Sequence, residues 1–163
     1  MCVSASLHER DFIMNLLTES FKQKYEQFLT GCDAIEQAGG WDTEQYGEME
    51  TFYTNDLISL MLRLVATDGC VAQREADALN RLFGFSYTAE TLADVYEVCQ
   101  ENICGDFDRL FAEGVDRLEA INAKLAQAYK ELLTLICDIV MESDGVVSDK
   151  ELAEAARLKA LCE

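Results

Sequence analysis

Apolar residues recur at helical spacing along nearly the whole chain, and no proline interrupts them. The 163 residues contain no proline, although average usage of about 5% would give roughly eight. Because proline removes a backbone donor and clashes with the preceding turn, its absence permits long uninterrupted helices. No segment keeps the alternation of apolar and polar residues that is typical of a strand. The sequence therefore predicts an all-α protein of about seven helices.

Capping signals and glycines divide this pattern into helices. The first helix is expected to start at the S-x-x-E capping box of Ser6 and Glu9, with Ile13 beginning the apolar stripe that faces the core. The first helix is expected to end before Gly39 and Gly40, and Thr88 is the expected N-cap of a later helix. After a short helix near Phe107, one long helix is expected over about 115–142.

The chain length is the usual size of one domain. We therefore expect a single helical domain over 1–163, with an N-terminal helical extension over 1–45. A chain of this size can bury a sizeable core without disulfides or a structural metal.

One segment of the sequence occurs twice. The segment from Leu60 to Leu82, LMLRLVATDGCVAQREADALNRL, aligns without gaps with ICDIVMESDGVVSDKELAEAARL, from Ile136 to Leu158. Both copies contain the pattern D-G-x-V-x-x-x-E after an apolar helix, and this pattern should arise by chance at about 10⁻⁵ per position. The duplication predicts two pseudo-symmetric helix–turn–helix repeats packed in a bundle.

Helix capping alone can explain both of these DG turns. Asp-Gly suits the end of a helix, because glycine tolerates the left-handed conformation. The Glu can complete a capping box at the start of the next helix. Ser148 supplies the capping oxygen in the second copy, whereas Ala72 in the first copy has none. Glu75 is thus present where its capping partner is missing, which favours a role beyond capping.

The functional interpretation is a hard-cation site formed by four carboxylates. Pseudo-symmetric packing could bring Asp68 and Glu75 of the first turn close to Asp144 and Glu151 of the second. Ligand sets made only of oxygen atoms select calcium, magnesium or manganese over zinc. An ordinary EF-hand is excluded, since an apolar residue would stand at the first ligand position of each loop.

The charge balance restricts the partners. Thirteen Lys and Arg residues stand against 31 Asp and Glu residues, giving a formal net charge of −18. This field repels nucleic-acid phosphates and anionic membrane surfaces, and it attracts cations and basic partners. No apolar run approaches the roughly 18 residues needed to span a bilayer. We expect an unknown protein partner, no nucleic acid and no direct membrane insertion, with the oligomeric state left open.

Cysteine and histidine usage favours a cytoplasmic protein without catalytic residues. The seven cysteines include no C-x-x-C pair and are scattered along apolar patterns, which is typical of reduced thiols. The N-terminus lacks the pattern of a secretory signal. His8 is the only histidine, and the phosphate-loop, dinucleotide and nucleophile-elbow motifs are absent. We predict no enzyme and no organic cofactor; a carboxylate-metal hydrolase is the one enzyme class left open.

A helical chain with a duplicated DG-x-V/I-x-x-x-E turn resembles the tellurite-resistance TerB-like family. The resemblance covers roughly 56–162 and implies two pseudo-repeats, acidic metal-binding residues and a cytoplasmic stress-response role. The residues that it carries over are Asp68, Glu75, Asp144 and Glu151. The leading hypothesis is a non-enzymatic, divalent-cation-binding regulatory or stress-response module. The alternative is a protein–protein interaction scaffold whose turns are purely structural.

Overall fold

The fold consists of helices and connecting turns, with no strand, in the regions that the computed structural model describes, which are residues 7–65, 72–104, 107–144 and 149–160. The helices in these ranges are α1 (Leu7–Gln37), α2 (Thr43–Tyr46), α3 (Met49–Val65), α4 (Gln73–Phe83), α5 (Ala89–Cys104), α6 (Phe107–Ile121), α7 (Ala123–Asp144) and α8 (Asp149–Ala160). Because α2 is a single turn, the seven longer helices match the expected number. The predicted all-α class is confirmed.

Two predicted helix boundaries are reproduced by hydrogen bonds or by backbone geometry. The Thr91 backbone N–H donates to Thr88 Oγ1 at 3.1 Å, so Thr88 caps α5 as expected. Helix α1 ends at Gln37, just before Gly39, whose φ of 76° lies in the left-handed region. Glycine adopts this conformation without the steric penalty that a Cβ brings.

The prediction of one long helix over 115–142 is wrong at the N-terminal end of that range. The chain instead forms α6 and α7, which are separated at Asn122. The Asn122 backbone N–H donates to Leu118 O at 2.8 Å and closes α6, while Asn122 Oδ1 accepts the Leu125 N–H at 3.1 Å and caps α7. Asn at an N-cap satisfies a helix donor that would otherwise lack a partner, so one residue serves both helix ends.

The two repeats pack against each other by a pseudo-two-fold arrangement. Helix α3 contacts α4, α7 and α8, and helix α7 contacts α8, α3 and α4. Exchanging α3 with α7 and α4 with α8 leaves this set of contacts unchanged. Among the described residues, the matched positions buried in both copies are Met49 and Leu125, Tyr53 and Tyr129, Leu57 and Leu133, Leu60 and Ile136, Met61 and Cys137, Leu64 and Val140, Leu79 and Ala155, and Leu82 and Leu158. The structural equivalence of the two repeats therefore begins before Leu60 and Ile136, the residues at which the sequence repeat starts.

Helix α1 covers the junction between the repeats. It packs along α7 and also contacts α3 and α4. The ring of Phe28 lies 5.9 Å from that of Tyr53 and 5.5 Å from that of Tyr129, the two rings that match each other across the repeats. A Cβ at Gly31 would lie 2.6 Å from Leu125 Cδ1, so this glycine permits a close approach of α1 to α7. Helix α1 is therefore part of the same buried core.

No helix in the described ranges is both long enough and apolar enough to cross a membrane.

Candidate functional site

Of the four carboxylates predicted to hold a cation, the structure describes one side chain. Glu75 lies in the first turn of α4 and is 3% exposed. Asp144 is the last residue of α7 and Glu151 lies in the first turn of α8, but their side chains lie outside the described residues. Asp68 also lies outside them. The predicted cluster therefore stays a prediction.

Glu75 caps its own helix. The Ala72 backbone N–H donates to Glu75 Oε1 at 3.0 Å, and the Glu75 N–H donates to the Ala72 carbonyl oxygen at 3.1 Å. Ala72 has the extended conformation of an N-cap, with φ of −82° and ψ of 151°. The missing capping oxygen at Ala72 therefore does not imply a role for Glu75 beyond capping, because the backbone N–H of Ala72 is a donor whatever its side chain.

An ion-pair network joins α3 of the first repeat to α8 of the second. Arg63, in the last turn of α3, donates through Nε to Glu154 Oε1 on α8 at 2.7 Å. Arg157 donates to both oxygens of Glu154 at 2.6 and 3.0 Å and also pairs with Asp108 on α6. Hydrogen bonds from Arg157 and Arg63 lower the pKa of Glu154 to about 2. The end of α3 thus lies beside the first turns of α8.

A second group of carboxylates lies where the end of α1 meets the start of α3. Burial, a hydrogen bond with Asp33, and the charges of Asp33, Glu36 and Glu48 raise the pKa of Glu50. Glu36 Oε1 accepts the Met49 backbone N–H and so caps α3. Sequence reasoning missed this cluster because its members belong to two segments and match no motif.

Asp56 is a half-buried residue at the contact of α3 with α6. A Cβ at Gly114 would lie 3.3 Å from Asp56 Oδ2, and one turn away Tyr53 Oη donates to the Gly114 carbonyl oxygen at 2.8 Å. Burial raises the pKa of Asp56 to about 7, partly offset by the charge of Arg117. The Arg117 guanidinium itself lies 4.3 Å from the centre of the Tyr46 ring, in a cation–π contact. The sequence gives one signal for Asp56, which is its position directly before Leu57 in an apolar helical segment.

Helix α1 carries exposed apolar side chains in its first turns. Phe12 is 64% exposed, Leu16 is 56% exposed and Ile13 is 39% exposed. The prediction that Ile13 faces the core is wrong, because full burial along α1 begins only at Thr18 and Phe21.

No family model, curated protein or solved structure matches this chain. Across the residues that the structure describes, no three Asp, Glu, His or Cys side chains are arranged to hold a metal ion.

Proposed function

We propose that the chain is a non-enzymatic, acidic helical module of the tellurite-resistance TerB-like type, which binds one divalent cation between its two DG turns. The ligands would be Asp68, Glu75, Asp144 and Glu151, and the ion would be calcium, magnesium or manganese. The biological role would be regulatory or stress-related and cytoplasmic. The observation that carries the proposal is the ion pair that joins the end of α3 to the start of α8.

The distance that the chain can span makes a shared site feasible. Arg63 contacts Glu154, and Glu151 stands one helical turn before Glu154 on α8. Asp68 is three residues beyond the end of α3, a length that spans at most about 10 Å. Asp68 and Glu151 therefore belong to segments anchored at the same end of the bundle, as an ion shared by the two repeats requires.

Capping by Glu75 is compatible with cation binding. A carboxylate has two oxygens with about four acceptor positions, so a hydrogen bond from Ala72 does not by itself prevent Glu75 from binding a cation. Four close carboxylates repel each other unless protons or cations compensate them. In a chain of net charge −18, a divalent ion would relieve this repulsion and couple the two repeats.

Titration calorimetry with calcium, magnesium and manganese tests this function. We expect the variant combining Asp68→Asn with Asp144→Asn to lose at least about tenfold in affinity for the preferred ion. The matched control combines Asp33→Asn with Glu48→Gln, which removes two carboxylates from the other acidic cluster. Equal affinity in wild type and in the Asp68/Asp144 variant would refute the site.

The second candidate function is a protein–protein interaction scaffold with purely structural DG turns. Two observations favour it: the capping hydrogen bond of Glu75 and the exposed apolar side chains of α1. Thermal unfolding with and without each cation separates the two functions, because a ligand that binds only the native state must raise the melting temperature. An unchanged melting temperature at millimolar cation would favour the scaffold.

A further inference from the structure

The first turns of α1 are apolar on two opposite faces. Met14 and Leu17 are half-buried and pack against the core. Phe12, Ile13 and Leu16 are exposed; at 100° per residue, Phe12 and Leu16 point away from the buried face that contains Phe21. We call Phe12, Ile13 and Leu16 the outer apolar patch.

A helix that is apolar all round is normally buried, because each exposed apolar side chain forgoes the stabilisation of leaving water. Adjacent apolar side chains on a surface mark interaction sites more often than isolated ones do. We infer that the outer apolar patch docks a basic amphipathic helix of another protein. This inference goes beyond the proposed function and is independent of the cation site.

The charges beside the patch argue for a basic partner. Glu9 lies about one turn before the patch and Glu19 about one turn after it, and both side chains are exposed. In a parallel pairing of two copies, each Glu would face its own counterpart. In an antiparallel pairing centred on Met14, Glu9 of one copy would face Glu19 of the other. Either pairing opposes like charges and adds the repulsion of two chains that each carry −18, so a second copy is disfavoured.

A helical partner fits the shape of the patch. An amphipathic helix buries apolar residues at i, i+3 or i+4 and i+7 against a facing apolar surface. Its flanking Lys or Arg residues would lie near Glu19. These exposed pairs would contribute mainly to selectivity and association rate, while the apolar contacts would supply most of the affinity.

A synthetic helix provides a defined probe. We would use a peptide of about 21 residues made of Leu and Lys, with Leu on one helical face, and an otherwise identical peptide with Glu in place of Lys. Binding to the full chain would be followed by fluorescence anisotropy with and without a chelator. The test variant combines Phe12→Gln with Leu16→Gln. The matched control is Val98→Gln, because Val98 is 85% exposed on α5.

We expect the Lys peptide to bind wild type and Val98→Gln equally, with or without chelator, and the Phe12/Leu16 variant to bind at least about tenfold more weakly. The Glu peptide should not bind. The variant should keep the wild-type melting temperature, because both side chains are exposed. Equal binding by the Phe12/Leu16 variant, or self-association of wild type that this variant abolishes, would overturn the inference. Loss of peptide binding on chelation would also overturn it, since that would tie the surface to a cation.

Discussion

At the residue scale, Asp56 is a carboxyl whose pKa is strongly altered by its surroundings. Burial raises its pKa from 3.8 to about 7. The folded protein therefore holds this proton more tightly than the unfolded chain does. The resulting stabilisation is complete below pH 3.8 and is lost as the pH rises through about 7.

We predict that Asp56→Asn removes one pH-dependent part of the stability. Between pH 8 and pH 5 the wild type should gain about 2 kcal/mol in its free energy of unfolding from this group, a gain that a neutral amide lacks. Urea denaturation across this range, with the exposed Asp116→Asn as control, measures the difference. Identical pH profiles for wild type and Asp56→Asn would show that the carboxyl is ionised in the folded protein.

Glu154 shows the opposite dependence on pH. Its pKa is lowered from 4.5 to about 2, so the stability that it contributes is present above pH 4.5 and is lost as the pH falls through about 2. We predict that Glu154→Gln lowers the free energy of unfolding at pH 7 by about 1–2 kcal/mol, because it breaks a partly buried bridge between repeats. Glu119→Gln, which alters an exposed pair with Lys130, should cost less than about 0.5 kcal/mol. Equal losses in the two variants would contradict a special role for the network.

At the scale of the helix, variants of Glu75 separate the effect of its capping hydrogen bond from the effect of its negative charge. Glu75→Gln keeps an oxygen that can accept the Ala72 N–H, so we expect it to cost less than about 0.5 kcal/mol. Glu75→Ala removes the acceptor and leaves a small cavity, which should cost about 1–2 kcal/mol. Chemical denaturation of both variants measures the difference. If both variants are destabilised equally, the negative charge rather than the cap stabilises α4.

Local sequence signals predicted helix boundaries at Thr88 and Gly39, but they did not predict the boundary between α6 and α7. Thr88 and Gly39 act as the sequence predicted, because caps and left-handed glycines are local features. Asn122 was missed because apolar residues keep helical spacing through it, and its cap becomes evident only from its hydrogen bonds. Periodicity identifies a helix but does not locate a break between two helices that share a stripe.

At the scale of the whole molecule, the repeat was predictable but its contacts were not. The matched segments indicated a pseudo-two-fold bundle, and the exchangeable contacts of α3, α4, α7 and α8 agree with it. The Arg63–Glu154 bridge has no counterpart at the matched positions, which are Ile139 and Ala78. Sequence symmetry therefore predicts the packing of the backbone, while the polar contacts between repeats depend on residues that differ between the copies. The same limit applies to Asp56, whose partners come from another helix.

The most direct test of a cation shared by two turns is its stoichiometry. Native mass spectrometry after exposure to calcium, magnesium or manganese would count the ions bound to wild type, to Asp68→Asn and to Asp144→Asn. A shared site predicts one ion in wild type and a marked loss of occupancy in each single variant, because each removes a ligand of the same ion. Two ions in wild type with one retained in each variant, or no specific binding at all, would contradict a site built by both repeats.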